Sequence, residues 1–485
     1  MPRLFPLANP ATTRAMPESI YDLIVIGGGP AGTCGAVTAA AFGKKVAVIE
    51  QAGVLGGAGI NTGTIPSKTL RESALLLSGW QARKLLGVSV SRTVEAKLAD
   101  FMFHERHVTT VARREIEARF QQTRVEKFWG RARFLDPHTV AVTPADGPEF
   151  SLRGGTILVA TGSSPLHPPE FTFSHPRIHD SNEILQLTEM PRSLAVIGAG
   201  VIGAEYACTF AALGVEVHLI DGRDSLLSFL DTEISAAITH AMTLAGVRFH
   251  WQQRVTRCSS PDEGDVTLTL SSGAQLTVSD VLVAAGRCSN TGALDLPAAG
   301  LTPGKRGLLT TDAHYRTEVA HIYAAGDVVG PPALASTSME QARVAMCHAF
   351  DLLKKETSPL LPTGIYTIPE ASMVGETEES LKTQGVDYVV GRAPYSHNPR
   401  GRIIGDEAGF LKLLFRREDL RLLGVHVVGE QATELVHIGL IALLSGGGAE
   451  LFSNACFNYP TLGELYKTAT YDAIMRRLHS APPPQ

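Results

Sequence analysis

The chain has 485 residues, too many for a single hydrophobic core and enough for three or four domains. Hydrophobic residues make up 44% of it and charged residues 19%, as in ordinary globular proteins. A net charge of -5 and the lack of an apolar run of roughly 18 residues argue against a nucleic-acid-binding or membrane-spanning protein. Residues 1–19 lack the apolar core of a signal peptide, and we expect them to form a disordered tail on a cytoplasmic protein.

The first pattern in the chain is a strand, a glycine-rich turn, a helix and a second strand. Residues 21–26 are an apolar run typical of a buried parallel strand. A G-x-G-x-x-G turn with Gly27, Gly29 and Gly32 leads into a helix of small residues, and the next strand ends at Glu50. Such glycines let a pyrophosphate approach the helix N-terminus, and the acid can accept a hydrogen bond from a ribose 2′-OH. The pattern predicts a dinucleotide site.

The chain then runs through a glycine-rich stretch, Gly56 to Lys68, into a mostly helical region. We expect an amphipathic helix over residues 69–84 and a second helix over 94–122. Short strands follow between residues 125 and 152, with turns at 136–137 and 146–148. A buried strand at 156–159 ends in Ala-Thr-Gly-Ser at 160–163, which predicts a return to the first sheet.

A second copy of the glycine motif begins after an apolar strand at residues 194–197. Its glycines are Gly198, Gly200 and Gly203, and its second strand ends at Asp221 with the same spacing as in the first copy. The repeat predicts two separate dinucleotide sites on one chain. A strand from residue 281 that ends at Gly286 would close the second of these domains.

The remaining elements are a short strand, a helix and a last domain. Residues 321–327 read as a strand that ends in Gly326-Asp327, and a helix follows over 334–353. Residues 357–362 are a linker. The last domain, over 363–478, is expected to be α+β, with strands at 410–415 and 422–428 and a helix at 433–444.

The two glycine motifs, the Ile-Pro-Ser-Lys at 65–68, the Ala-Thr-Gly at 160–162 and the Gly-Asp at 326–327 occur in an order that resembles the flavoprotein disulfide reductases. The resemblance runs from about residue 21 to residue 477. Within that group, the stretches 63–71, 362–370 and 457–461 are most similar to the soluble pyridine nucleotide transhydrogenases. The implied fold is α/β, with two Rossmann-like dinucleotide-binding domains and a C-terminal α+β dimerisation domain.

The resemblance also implies domain bounds, cofactors and binding residues. The bounds are a tail over 1–19, an FAD-binding domain over 20–165 and 289–358, an NAD(P)-binding domain over 166–288 and a dimerisation domain over 362–485. The residues expected to bind FAD are Gly27, Gly29, Gly32, Glu50, Gly57, Thr64, Lys68, Thr161, Gly162, Asp327, Leu334 and Ala335. Those expected to bind NAD(H) or NADP(H) are Gly198, Gly200, Gly203, Glu205, Asp221 and Gly286.

The chain departs from the disulfide reductases in its chemistry. Gly59 and Thr64 stand where that family has its Cys-x4-Cys pair, and Tyr459 stands where it has the histidine base, although Glu464 is kept. A tyrosine, with a usual pKa of about 10, is a poor base at neutral pH. The resemblance gives Lys68, paired with Glu205, a catalytic place near flavin N5. The alternative for Lys68 is a surface helix lysine.

The six cysteines and the other polar residues suggest no further site. The cysteines are scattered and form no metal-binding or redox pair, so we interpret them as buried thiols and expect no metal. His397, His426 and His437 lack metal spacing and are expected to be structural. Gln341 and Arg343 either contact the flavin or only support packing.

Nucleotide preference is left open by two neighbouring residues. Asp221 favours NADH because it binds a ribose 2′-OH and repels a 2′-phosphate. Arg223 would offset that repulsion and admit NADPH, or it is only a solvated loop arginine.

Three functions are compatible with these features. The first is FAD-dependent hydride exchange between nicotinamide nucleotides without a redox dithiol. The second is an NADH oxidase or diaphorase that passes electrons to a quinone, another small acceptor or O2. The third is a non-catalytic flavin-binding subunit or redox sensor. A homodimer is expected from the resemblance.

Overall fold

A computed structural model describes residues 20–79, 98–353, 356 and 358–480 of the chain. The predicted tail over 1–19 and the predicted helical residues 80–84 and 94–97 lie outside the described residues. The described chain forms two compact units. The first takes residues up to Gly57, then Ile116–Gly162 and Ser289–Glu356; the second takes Ala58–Glu115, Ser163–Cys288 and the residues from 358 onward.

The strands, numbered in chain order, have the following bounds: β1 Ile20–Ile26, β2 Val46–Glu50, β3 Glu126–Trp129, β4 Arg131–Asp136, β5 Thr139–Thr143, β6 Phe150–Val159, β7 Ser163–Pro165, β8 Ile178–Asp180, β9 Ser193–Ile197, β10 Glu216–Asp221, β11 Arg248–Trp251, β12 Val255–Ser259, β13 Val266–Leu270, β14 Gln275–Val278, β15 Asp280–Val283, β16 Arg287–Ser289, β17 Ile322–Ala324, β18 Thr363–Ile365, β19 Ala371–Gly375, β20 Tyr388–Pro394, β21 Phe410–Arg416 and β22 Leu422–Val428.

The α-helices, numbered in the same way, have the following bounds: α1 Pro30–Ala41, α2 Gly57–Asn61, α3 Thr64–Ser78, α4 Leu98–Thr123, α5 Val201–Ala212, α6 Thr232–Leu244, α7 Ala335–Ala349, α8 Glu378–Gln384, α9 Pro399–Ile404, α10 Ala432–Leu444, α11 Ala449–Asn454 and α12 Leu465–Ser480.

The first unit is built on one mixed sheet. Its strand order is β3-β2-β1-β6-β5-β4, and β17 also pairs with β6. The strands β3, β2, β1, β6 and β17 run parallel, so their carboxyl ends meet at one edge. Alternate residues of β1 pack into two different hydrophobic cores: Ile24 and Ile26 pack in one, and Leu23 and Val25 pack in the other. A strand buried on both faces explains the continuous apolar run in the sequence.

Besides a two-stranded sheet that pairs β7 with β16, the second unit contains a parallel sheet and two antiparallel ones. The parallel sheet has the order β11-β10-β9-β15-β8 and repeats the strand–turn–helix arrangement of the first unit. The antiparallel sheets have the orders β12-β13-β14 and β18-β19-β22-β21-β20. The last of these carries α10 and α12, which matches the α+β character expected for the C-terminal domain.

Two sequence-based expectations were wrong in detail. The helix expected from residue 69 begins at Thr64 and ends at Ser78, because Gly79 takes a left-handed conformation and terminates it. The cysteines are not uniformly buried: Cys208 and Cys347 are buried, Cys456 is exposed and the others are intermediate.

Candidate functional site

The first glycine turn is shaped by close backbone packing. A side chain on Gly27 would come within 2.3 Å of the Ala160 carbonyl oxygen, and one on Gly32 within 1.8 Å of the Gly27 carbonyl oxygen. Gly29 caps α1 without a side-chain hydrogen bond, so the first amide groups of the helix stay available. The turn therefore presents unpaired N–H groups and the positive end of a helix, which suit a pyrophosphate.

Glu50 holds this turn from the end of β2. One carboxylate oxygen accepts the Gly28 amide at 2.8 Å, and the other accepts the Ala52 amide at 2.8 Å. The residue is 9% exposed. Each oxygen keeps further acceptor capacity, which is what a ribose hydroxyl needs.

The loop after β6 contributes an unsatisfied polar atom to the same unit. The Thr161 hydroxyl is buried and has no hydrogen-bond partner in the described part of the chain, while the Thr161 carbonyl accepts a hydrogen bond from the Asn290 side chain at 3.0 Å. Gly162 follows with a φ of 66°. A buried orphan hydroxyl at the carboxyl edge of the sheet fits a bound cofactor, since native proteins leave few such groups unpaired.

Two other segments of the first unit carry predicted flavin-binding residues. Gly57 packs on the turn, because a side chain there would lie 2.7 Å from the Gly29 Cα. Asp327 follows β17 and thus lies at the same sheet edge as the turn. Leu334 caps α7, which begins at Ala335, without a side-chain hydrogen bond.

Gln341 and Arg343 belong to packing in this structure. The Gln341 side chain accepts the Gly326 amide at 2.8 Å, and Arg343 pairs with Glu340 at 2.8 Å. Both residues therefore make a supporting contact within the protein, and a contact of either one with the flavin stays a prediction.

The second glycine turn repeats the first in the second unit. A side chain on Gly198 would meet the Ala284 carbonyl oxygen at 2.5 Å, and one on Gly203 would meet the Gly198 carbonyl oxygen at 1.9 Å. No atom of the residues that the structure describes lies within 4 Å of the position a Cβ would take on Gly200, apart from its own chain neighbours, and the same holds for Gly286. The first two glycines serve the fold, and the last two leave open space for a ligand.

Lys68 and Glu205 meet inside the second unit. The Lys68 ammonium lies 2.6 Å from Glu205 Oε2, with side-chain exposures of 24% and 6%. Helices α3 and α5, which carry them, pack on each other. The other Glu205 oxygen accepts the Tyr366 amide at 3.0 Å, and the ammonium lies 4.9 Å from the centre of the Tyr366 ring. The cation is thus held from two sides.

Tyr366 is a site residue that the sequence analysis missed. It lies in the 362–370 stretch that carries the resemblance, but no local spacing connects it with Lys68. Burial raises the pKa of the Tyr366 hydroxyl, and a hydrogen bond with Thr433 acts in the opposite direction. The Tyr366 hydroxyl therefore stays protonated, and the side chain beside the Lys68 ammonium carries no charge.

Gly59 and Thr64 are the residues at which the resemblance places the two cysteines of the disulfide reductases. Gly59 lies in α2 and Thr64 is the first residue of α3. Tyr459, at the place of the base, is 71% exposed in the single chain, and one Glu464 oxygen is buried without a partner among the described residues. Gly59, Thr64 and Tyr459 carry neither a thiol nor an imidazole.

The described residues offer no group of three histidine, cysteine or acidic side chains that could hold a metal ion. None of the helices in that part of the chain has the length and apolar character that a membrane crossing requires. His426 is fully buried and hydrogen-bonds the Glu376 carbonyl at 2.8 Å, which gives it a structural place.

The fold and these two turns define a flavin- and pyridine-nucleotide-dependent oxidoreductase. The model of the pyridine nucleotide-disulphide oxidoreductase family matches residues 21–349, and its dimerisation domain matches residues 361–470. The chain belongs to this family, and its cofactors are FAD and nicotinamide nucleotides.

Individual related proteins indicate which group within the family this chain is similar to. The chain is 44% identical over 462 residues to a soluble pyridine nucleotide transhydrogenase of Mycobacterium bovis, which covers 95% of this chain and 98% of the relative. It is 41% identical to the enzyme of that name in Pectobacterium atrosepticum and 40% identical to the one in Escherichia coli, over 94% and 95% of this chain and 98% and 100% of theirs.

Solved structures agree on the fold. LpdA from Mycobacterium tuberculosis superposes with a TM-score of 0.87 at 28% identity, over 94% of this chain and 99% of that one. The HOCl-induced flavoprotein disulfide reductase RclA from Escherichia coli superposes with a TM-score of 0.84 at 27% identity, over 93% and 99%.

Proposed function

We propose that this protein exchanges hydride between NADH or NADPH and NAD(P)+ through bound FAD, without a redox-active dithiol. The proposal is supported by relatives of 40–44% identity that are named soluble pyridine nucleotide transhydrogenase. The observation on which the proposal rests is the ion pair between Lys68 and Glu205. Lys68 lies on the same segment as Gly59 and Thr64, which stand at the positions that the resemblance gives to the two cysteines.

The residues supply binding, orientation and electrostatics. When bound, FAD supplies the two-electron chemistry, so that no protein nucleophile is required. In the first unit the turn with Gly29 and the Glu50 carboxylate hold the dinucleotide, and the Thr161 hydroxyl gains a partner. In the second unit the open space at Gly200 and Gly286 receives the nicotinamide nucleotide.

In this proposal Lys68 contributes a fixed positive charge to the reaction. The Glu205 carboxylate and the Tyr366 ring restrict the ammonium, so little reorganisation is needed when negative charge develops. The chain is expected to act as a homodimer through its dimerisation domain, with Tyr459 as a packing residue rather than a base. A cytoplasmic location is part of the proposal, since the relatives are named soluble.

Stopped-flow mixing tests the function. NADH should reduce the flavin of the purified protein, and NADP+ or thio-NAD+ should reoxidise it at a rate compatible with steady-state exchange. A reduced protein that ignores every oxidised nucleotide would contradict the proposal. A flavin that NADH cannot reduce would point to the non-catalytic alternative.

The second candidate is an NADH oxidase or diaphorase. It is favoured by Gly59, which has no side chain at the position where the resemblance to the disulfide reductases places a thiol. Turnover with quinones or O2 far above the rate of nucleotide exchange, measured on the same preparation, would support it instead.

A further inference from the structure

An unassigned arginine lies beside the end of β10, where the second dinucleotide fold recognises the adenosine ribose. Strands β10 and β11 are parallel neighbours, and Asp221 pairs in register with Trp251. The loop after β11 is fastened to the loop after β10 by two backbone hydrogen bonds. The Gln252 amide donates to the Arg223 carbonyl at 2.9 Å, and the Gln253 amide donates to the Asp221 carbonyl at 3.1 Å.

Asp221 is fully engaged at this corner. Its Oδ2 accepts the Ala199 amide at 2.6 Å, and its Oδ1 accepts the Arg223 amide at 2.8 Å. The Arg223 guanidinium donates to both oxygens, at 2.9 Å and 2.7 Å. The aspartate side chain is 9% exposed and the arginine side chain 46%. The arginine is therefore not merely solvated: it neutralises the acid.

Arg254, in the loop after β11, lies against Gly222. A Cβ on Gly222 would be 3.0 Å from the Arg254 Nε and 3.5 Å from its Cζ. The glycine thus leaves the space that the guanidinium occupies. Arg254 is exposed, and its guanidinium has no carboxylate partner among the described residues. Asp224, the next acid along the loop, is exposed.

We propose that Arg254 binds the 2′-phosphate of NADP(H), while Arg223 keeps Asp221 neutralised so that the same corner accepts both nucleotides. The inference rests on the proposed function, because exchange between NAD(H) and NADP(H) needs a site that takes either one. A guanidinium presents two parallel N–H groups that match the oxygens of a phosphate. When NAD(H) binds, its 2′-OH replaces an Arg223 N–H at the Asp221 carboxylate.

Titration calorimetry on the flavin-loaded protein tests this, with adenosine 2′,5′-bisphosphate and 5′-AMP as probes. We expect Arg254→Ala to weaken the bisphosphate by about tenfold or more and to change 5′-AMP by less than about twofold, as the loss of a charged hydrogen bond predicts. Arg254→Lys should recover part of the loss. Arg223→Gln should also weaken the bisphosphate, because Asp221 then repels the phosphate.

Gly222→Ala and Arg257→Ala complete the set. Gly222→Ala should shift the Arg254 side chain without removing its charge, and should therefore selectively weaken binding of the bisphosphate. Arg257, exposed on β12, is the matched control for a lost positive charge, and its removal should leave both probes unchanged. Equal losses for both probes in Arg254→Ala, or no loss, would overturn the inference.

The outcome separates this inference from the proposed function. Rapid NADH to thio-NAD+ exchange together with an unaffected bisphosphate affinity in Arg254→Ala would remove the inference and keep the function. Selective loss of bisphosphate binding in a protein that exchanges no hydride would keep the inference and remove the function.

Discussion

Lys68 and Glu205, 137 residues apart in the chain, form an ion pair of 2.6 Å in which the carboxylate is almost completely buried. The second Glu205 oxygen is held by the Tyr366 amide at 3.0 Å. The pair therefore connects α3, α5 and the segment after β18 within the second unit. Its energetic and chemical consequences can be tested separately.

Removal of the lysine should leave Glu205 as an uncompensated buried charge. We expect Lys68→Met to lower the free energy of unfolding by about 2–4 kcal/mol, and Lys68→Met with Glu205→Gln to lower it by less than the sum of the single changes. Urea denaturation at pH 7 measures both. The control is the pair Arg133–Glu149, also at 2.6 Å but 40% exposed on each side, whose coupling should stay below about 1 kcal/mol. Additive effects at Lys68 and Glu205 would contradict a coupled pair.

The open space at Gly200 should belong to the nucleotide rather than to the fold. Gly200 has φ of -81°, which alanine adopts easily, so Gly200→Ala should fold normally with its flavin. Its methyl group should still raise the Kd for NADH by about tenfold or more, since it fills the approach of the pyrophosphate. Gly203→Ala is the contrasting variant: its Cβ would lie 1.9 Å from a carbonyl oxygen, and we expect loss of folded protein. Unchanged NADH affinity in a folded Gly200→Ala protein would place the nucleotide elsewhere.

Hydride exchange should survive thiol modification. Burial raises the pKa of the Cys208 thiol to about 12, and Cys456 is the exposed cysteine. We expect iodoacetamide to alkylate Cys456 before Cys208 and to leave the NADH to thio-NAD+ rate within about twofold, because thiolates are the reactive species and none is part of the site. The protein is reduced with NADH and alkylated, and mass spectrometry then identifies the modified residues. Inhibition in step with the modification of one cysteine would show that a thiol takes part.

A second ion cluster, around the buried Lys412, should contribute strongly to the free energy of unfolding of the second unit. The Lys412 ammonium lies 2.8 Å from Asp231 and 3.0 Å from Glu233, and the lysine and aspartate side chains are each 1% exposed. Lys412→Met should cost about 3–5 kcal/mol, because it leaves the buried Asp231 carboxylate without its cation. Arg192→Met is the control: Arg192 lies 2.7 Å from Asp265, is 79% exposed and should cost less than about 1 kcal/mol. A similar small cost for both variants would refute the expectation.

The Asp221–Arg223 pair should make stability depend on acid pH. Burial alone would raise the pKa of Asp221. The hydrogen bonds from Arg223 and from the Ala199 amide outweigh that effect and lower the pKa to about 2. The folded value lies below the ordinary one, so the contribution is complete above about pH 4 and is lost as the pH falls through 2. Asp221→Asn should therefore cost on the order of 2 kcal/mol at pH 7 and progressively less below pH 4. Urea midpoints of both proteins from pH 7 to 2.5 measure the difference. A cost that does not shrink in acid would contradict the depressed pKa.

The sequence by itself determined the parts of this protein that short spacings encode. The two glycine turns, the acids Glu50 and Asp221 at the ends of their strands, and the absence of cysteine at 59 and 64 were all visible without coordinates. This is because a strand, a turn and a helix N-terminus are local structures, and their glycines are required by contacts between neighbouring residues. The α/β fold and the family were predicted on these features.

Only the tertiary structure decided which distant side chains meet. Tyr366 was not predicted beside Glu205, Arg254 was not predicted against Gly222, and the partnership of Lys412 with Asp231 had no local signal. Arg223 was left between two roles until the structure paired it with Asp221. Each of these contacts depends on how separate elements pack, and side-chain packing between elements has no fixed sequence spacing, unlike the periodic contacts within a helix or strand.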